Sequence, residues 1–370
     1  MKTEYSVEEP LNREPGIKDL VSSYITPNDD TSYDRNHGPI PHLKAKDHKV
    51  KVDGNVKNPL ELSIEDLKTR FPQHEIISAL QCAGNRRHVM RTLLKEVNGL
   101  DWFEGAVMNC KWRGPKLRDI LNKAGIDVKS AKGSHVAFAC YKVPVQGGES
   151  WYGGSIELER AMRDGADVLV ALEMNGKPLP VNHGYPVRIV VPGVSGCRSV
   201  KWLDRITVQL EESKNVYQRY DYKILPPEAT DKEAAKKYWD VTPALQDMPV
   251  NSVIAIPETG ETVKPSASGT IEVKGYALPH GDQGPVVKVE VSTDDGRTWK
   301  KAEILVPKEG QTKWAWALWK VTVPINKGQK RQVLSRATDR GGNVQTDKPQ
   351  WNLRGVAYNG FGEARDLSVV

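Results

Sequence analysis

The sequence predicts an α+β chain in two parts, a mixed α/β domain followed by an immunoglobulin-like β-sandwich. Up to about residue 245, helix and strand signals are interleaved without regular βαβ alternation. From about residue 250 onward nearly every signal is strand and turn. A length of 370 residues is enough to bury two proper cores. The expected boundaries are 1–30 for a flexible leader, 31–247 for the first domain and 248–370 for the sandwich.

Met1 to Pro15 is acidic and proline-punctuated, with no apolar core of a signal peptide, and reads as a leader. Glu75 to Leu80 is compatible with a strand. Ser63-Ile64-Glu65-Asp66 starts a short helix by a capping box, and Pro72 stops it. Leu117, Ile120, Leu121 and Ala124 keep helical spacing, with Gly125 as the stop. Ser155 is expected to open a further helix carrying Leu158, Ala161 and Met162 on one face and ending at Gly165. Asp167 to Leu172 reads as a buried strand with Asn175-Gly176 as a hairpin turn, and Val187 to Val191 as a second, closed by Pro192-Gly193. In the second part, strands are expected at Thr270–Tyr276, Val286–Ser292, Thr298–Leu305, Trp314–Val323 and Gln332–Thr338. Asp294-Asp295-Gly296 makes a turn, and Trp314 and Trp316 alternate onto one face.

Composition excludes several classes. The balance of 53 basic to 47 acidic residues, a net +6, is too small and dispersed for a nucleic-acid surface. It suits a pocket that collects anions. No apolar stretch approaches membrane-spanning length. Four widely spaced cysteines argue against a disulfide scaffold and for a reducing compartment, with the cytoplasm as the expected location and the mitochondrion or peroxisome as alternatives. No pair forms C-x-x-C, no G-x-G-x-x-G or P-loop occurs, and no Cys/His group has zinc spacing.

The chemistry concentrates at Ser78-Ala79-Leu80-Gln81-Cys82-Ala83-Gly84-Asn85-Arg86-Arg87. A strand delivers one cysteine to a loop that continues with glycine, asparagine and two arginines. Arginine charge beside a thiol favours the thiolate, which is both nucleophile and soft metal ligand. Guanidinium forks also suit oxyanions. One loop can therefore hold a metal and an anionic substrate at one point, although a free cysteine is more often a packing element. Cys110, Cys140 and Cys197, in apolar or small-residue settings, fit that plainer role.

Several further blocks accompany the Cys82 loop. They are Arg35-Asn36-His37-Gly38-Pro39, Gly184-Tyr185-Pro186-Val187-Arg188, Val191-Pro192-Gly193, Arg198-Ser199-Val200-Lys201-Trp202, Asp221-Tyr222-Lys223, Trp314-Ala315-Trp316 and Trp351-Asn352-Leu353-Arg354-Gly355. With these in order, the chain resembles the sulfite oxidase family of molybdenum-cofactor enzymes over most of its length. The resemblance implies a molybdopterin-binding catalytic domain over 31–247 and a dimerisation domain over 248–370, hence a homodimer. It implies one molybdenum–molybdopterin per chain, with Cys82 as the protein ligand to the metal, and oxidation of sulfite to sulfate. The two electrons would pass to oxygen or a separate acceptor.

By the same resemblance, Arg35, Arg87 and Arg354 bind the substrate, and Tyr222 and Arg87 are catalytic. Tyr222 also contacts substrate, and Trp102 walls the pocket. His37, His183, Arg188, Ser199 and Lys201 join Cys82 in holding the cofactor, and Arg86 supports the loop. The position of Arg354 implies that the sandwich domain reaches across to the active site.

The chain also departs from the family. No His-Pro-Gly-Gly of a cytochrome b5-type haem domain appears, so a haem-free, plant-type arrangement is expected. The run Ala357-Tyr358-Asn359-Gly360-Phe361-Gly362 replaces the common Trp-His-Arg ending. Ile224-Leu225-Pro226-Pro227-Glu228 is similar to the assimilatory nitrate reductases, which makes nitrate or another oxyanion the alternative substrate. Arg354 and Tyr222 argue against that alternative, because nitrate reductases look to carry methionine and asparagine there. A non-enzymatic molybdopterin carrier, or a sandwich protein with a decayed active domain, would not need the three arginines and Tyr222 together.

Overall fold

The computed structural model describes residues 5–28, 31–127, 133–307 and 312–370. Among these residues the first domain is built on two main sheets. A five-stranded sheet runs in the order Leu60–Ser63, Lys49–Gly54, Arg205–Gln209, His135–Cys140, Tyr152–Glu157. Its one parallel pair joins Lys49–Gly54 to Arg205–Gln209. The Lys-Val-Lys-Val run explains the register, since Val50 and Val52 are fully buried while Lys49 and Lys51 face out. Helices Ile64–Thr69, Leu117–Ala124 and Leu158–Met162 lay their apolar faces on this core. The capping box forms as expected, with Ser63 Oγ accepting from the Asp66 amide at 3.0 Å and the Ser63 amide donating to the Asp66 carboxylate at 2.9 Å.

The second sheet carries the Cys82 loop. Its order is Lys177–Pro178, Glu173–Met174, Val107–Gly114, His74–Gln81, so the strand feeding Cys82 is the edge strand. The Asn175-Gly176 turn joins the first two strands, with both residues at positive φ (53° and 73°), as a two-residue hairpin requires.

The sandwich pairs a four-stranded sheet (Asn251–Ile256, Thr270–Leu278, Ala317–Pro324, Glu303–Leu305) with a five-stranded one (Thr262–Val263, Gly362–Val369, Gly328–Asp339, Val286–Ser292, Lys300–Lys301). Val273, Val289, Trp319 and Ala337 lie between them. The two domains are closely joined. The Ala79 amide donates to the Trp314 carbonyl at 2.9 Å and Thr312 Oγ1 donates to the Ile77 carbonyl at 2.7 Å. The segment before Ala317–Pro324 thus covers the open edge that the Cys82 strand would otherwise present.

Four expectations change. Ser155 lies inside a strand, and the helix it was expected to open starts at Leu158. Its hydroxyl accepts from the Ser213 amide at 2.8 Å and is a cross-link, not a cap. Trp314 and Trp316 precede the strand that begins at Ala317 and sit in the domain interface. Trp314 Nε1 donates to Asp167 and Trp316 Nε1 to the Tyr24 carbonyl, each at 2.9 Å. Thr298–Leu305 is two short strands broken at Ala302. The leader, where described, is docked: Asn12–Arg13 pairs with Asp34–Arg35, and helix Ile17–Leu20 packs beside Val253, Tyr276 and Trp316. Ile17, Leu20, Val21 and Tyr24 fall at helical spacing and supply the apolar face that holds it. Residues 1–4 and 29–30 of the expected leader lie outside the described residues.

Candidate active site

Strand His74–Gln81 pairs along its whole length with Val107–Gly114 and releases the chain at Cys82. The loop closes tightly. The Cys82 amide donates to the Ala106 carbonyl at 2.9 Å, and the Asn85 amide donates to the Cys82 carbonyl at 3.0 Å. Arg86 then takes the left-handed conformation, φ 68°, and helix Arg87–Leu93 begins. Gly84 leaves room for the Arg87 guanidinium, whose carbon would lie 2.5 Å from a Cβ there, so a larger residue would displace that side chain. Cys82 is buried, and burial pushes its thiol up, opposed by the charges of Arg87 and Arg35.

Cys82 opens into a cavity. Around it the structure gathers Arg35, His37, His183, Arg188, Ser199, Lys201 and Tyr222. Among the described residues its wall holds no carboxylate. Arg188 is drawn to about 10 by burial, and Lys201 to about 7 by burial with Arg188 and Arg35 adding to it and Asp34 opposing. The cavity is therefore a strained cation cluster that an anion relieves.

Most of these side chains already have partners. Arg188 donates to the carbonyls of His183 and Ser199, each at 2.9 Å. Lys201 Nζ donates to the Asn182 carbonyl at 2.8 Å and to Asn36 Oδ1. Ser199 Oγ accepts from the Val191 amide at 3.0 Å, leaving its proton for a ligand. His183 Nε2 pairs with Ser32 Oγ at 2.9 Å, and burial keeps its ring well below the usual histidine range. His37, expected to contact cofactor, spends both ring nitrogens elsewhere, Nδ1 3.1 Å from Arg35 Nη2 and Nε2 2.8 Å from Tyr222 Oη.

Arg87, Trp102 and Arg354 lie outside the cavity wall, on the side of the Cys82 loop. Arg87 is buried, donating to the Leu100 carbonyl at 2.8 Å and to the Arg354 carbonyl at 3.1 Å. Burial lowers its pKa; Cys82 opposes this and Arg354 adds to it. Arg354 itself pairs with the Asp221 carboxylate. The segment around it reaches the first domain, with the Ala357 amide donating to the Ala83 carbonyl at 2.8 Å. Gly355 allows the approach, since a Cβ there would stand 2.7 Å from Arg87 Cγ. Trp102 is buried in one cluster with Tyr33, Cys82 and Met108, and its Nε1 has no partner among the described residues.

Sequence reasoning missed Tyr152 and Tyr217, which pack on His37 with ring centroids 5.3 and 4.0 Å away. It also missed Asp221, whose place beside Tyr222 in Asp-Tyr-Lys was visible but carried no sign of its pairing with Arg354. Cys197 was expected to be a packing residue. Cys110 and Cys140 are fully buried, but Cys197 lines the cavity. Arg86, expected to support the loop, is fully buried and bonds the sandwich: Nη1 to Asn251 Oδ1 at 2.8 Å and to the Gly360 carbonyl at 2.7 Å, Nη2 to the Phe361 carbonyl at 2.7 Å.

Two family models match. The oxidoreductase molybdopterin binding domain covers residues 37–217 and the Mo-co oxidoreductase dimerisation domain covers 242–363. Fold and site thus define a molybdenum-cofactor oxidoreductase. Sulfite oxidase of Gallus gallus is 42% identical over 352 residues, 94% of this chain and 74% of that protein. Mitochondrial sulfite oxidase of Homo sapiens is 44% identical over 96% of this chain, which spans only 64% of the human protein. Sulfite oxidase of Arabidopsis thaliana is 38% identical over 95% of this chain and 90% of its own length. The chain belongs to the sulfite oxidase family. The fold is also that of the sulfane dehydrogenase SoxCD crystal structure from Paracoccus pantotrophus, with TM-score 0.74 at 24% identity, covering 94% of this chain and 85% of that one.

The residues present fit a molybdenum cofactor. Two thiols, Cys82 and Cys197, stand in a cavity whose charged wall is cationic, as a phosphate-bearing, thiolate-seeking group requires, and Cys82 is the one set beside the charges of Arg87 and Arg35. Among the described residues no cluster of three His, Cys, Asp or Glu competes as a metal site.

Proposed function

We propose that the protein oxidises sulfite to sulfate at a molybdenum held by the Cys82 sulfur. The observation that carries this reading is the carboxylate-free cavity joining Cys82 to Arg35, Arg188 and Lys201. When bound, a molybdenum cofactor supplies oxygen-atom transfer and takes up the two electrons. Sulfite and water become sulfate, two protons and two electrons, and the electrons leave to oxygen or a separate acceptor.

The chain's own residues supply position and charge. Arg188, Ser199, Lys201 and His183 hold the cofactor's anionic and polar edges. His37 lies in the same cavity wall, its ring nitrogens engaged by Arg35 and Tyr222. Arg35 and Arg87 flank Cys82 and attract the dianion, and Arg354 adds charge from the sandwich side. A dianion gains more from these charges than the monoanion nitrate does. Trp102 closes the apolar side of the Cys82 loop, and Tyr222 places a hydroxyl on the substrate side of the cavity. The sandwich domain is proposed to join two such chains as a homodimer.

Cys82→Ser tests the ligand assignment. A hydroxyl is a poor ligand where a soft thiolate is wanted. The variant is expected to retain pterin and lose nearly all sulfite oxidation, on the order of 10³-fold or more. Near-normal turnover in cofactor-loaded Cys82→Ser would remove Cys82 from the metal.

A further inference from the structure

The contacts of His37 fix more than its position. Arg35 Nη2, 3.1 Å from His37 Nδ1, is a guanidinium nitrogen with hydrogens and no lone pair to offer. Nδ1 must therefore accept, so it carries no proton. Burial and the neighbouring charges of Arg35, Lys201 and Arg354 keep the ring neutral, which places its one proton on Nε2. That N–H points at Tyr222 Oη, 2.8 Å away. The tyrosine oxygen accepts, and its own proton cannot point back along the same line. Among the described residues Tyr222 Oη has no other protein partner. Tyr222 lines the cavity together with Cys82 and Arg35.

We propose that His37 is a positioning residue, which by donating to the Tyr222 oxygen turns the Tyr222 O–H proton into the cavity. The hydroxyl is thereby preset as a donor toward an oxygen of the bound oxyanion. Tyr217 and Tyr152, themselves in contact at 4.9 Å, pack on the imidazole with ring centroids 4.0 and 5.3 Å away and help to hold it in place. The role for the substrate rests on the sulfite reading, whereas the proton assignment is independent of it.

Nitrogen-15 spectra of histidine-labelled, cofactor-loaded protein test the assignment directly, with the His37 ring identified by its loss in His37→Phe. The expected result is an unprotonated Nδ1 and a protonated Nε2 across about pH 6 to 8, a range in which ordinary histidines titrate. A protonated Nδ1 overturns the proposal whatever the substrate proves to be. Steady-state kinetics tests the consequence. His37→Phe and Tyr222→Phe are each expected to lower kcat by on the order of tenfold or more, and the double variant no further than the worse single. Independent, multiplying losses would show that His37 does not act through Tyr222. His37→Gln keeps an acceptor and a donor side by side and is expected to restore most of kcat. If it is as impaired as His37→Phe while binding normal molybdenum and pterin, the polarity argument fails.

Discussion

Lys201 is drawn down to about 7 from an ordinary 10.5, chiefly by burial, in a cavity wall that offers it only neutral oxygen partners. Between about pH 7 and 10.5 the unfolded chain binds a proton there that the folded cofactor-free chain does not, so the folded form gains stability as pH rises through that window. Thermal melts of cofactor-free protein are expected to show this gain, and Lys201→Met to flatten the slope by a few degrees across the window. Bound phosphate reverses the bias by holding the amine charged. Inorganic phosphate at about pH 7 should therefore stabilise the wild type more than Lys201→Met, as read by the same melts. Arg354 gives a separable effect. It pairs with Asp221 beside Tyr222 and lies outside the cofactor cavity wall. Arg354→Met is expected to raise the sulfite KM by about tenfold or more while molybdenum and pterin content stay normal. An unchanged KM would mean that charge from the sandwich side does not reach the substrate.

At the scale of elements, the Cys82 loop is held as much by the sandwich as by its own strand. Arg86 connects the turn before helix Arg87–Leu93 to Asn251, Gly360 and Phe361, with Tyr358 stacked 4.8 Å from its guanidinium carbon. The C-terminal run that departs from the family's usual ending thus has a definite use, its carbonyls receiving Arg86. Arg86→Ala removes a buried cation and strands those acceptors, and is expected to cost about 3–5 kcal/mol in denaturant unfolding. A loss under about 1 kcal/mol would show the clamp to be dispensable. Elements with local signals were legible in the sequence: the Ser63–Asp66 capping box, the Asn175-Gly176 hairpin, and the helix from Leu117 to Ala124 with Gly125 after it. Ser155 was misread because a serine before an apolar run is a cap signal only where the chain is not already paired in a sheet. Trp314 and Trp316 were misread because alternation within a strand and burial in a domain interface leave the same pattern. Of the site, motif residues were legible because their spacing is local. The pairing of Arg354 with Asp221 and the cluster of His37, Tyr152 and Tyr217 join distant segments and left no local trace.

On the scale of the whole molecule, the proposed active site draws on both domains. The first domain supplies the cavity and Cys82; the second covers the open edge of the Cys82 strand and delivers Arg354. The docked residues 12–13 add a third piece, Asn12 Oδ1 accepting from Arg35 Nη1 at 3.0 Å. Asn12→Ala is accordingly expected to weaken sulfite binding several-fold through Arg35, a change that a merely attached leader would not produce. Light scattering is expected to give the mass of two 41.2 kDa chains, and a monomer at micromolar concentration would remove the proposed dimer.

The central claim is that sulfite delivers two electrons to a Cys82-bound molybdenum, and an anaerobic titration tests it most directly. Molybdenum-loaded protein is titrated with sulfite while the thiolate-to-metal absorption and the sulfate formed are followed together. Bleaching complete at one sulfate per metal is the predicted result. No bleaching and no sulfate, in protein shown to contain metal and pterin, would contradict it and transfer the site to nitrate or another oxyanion.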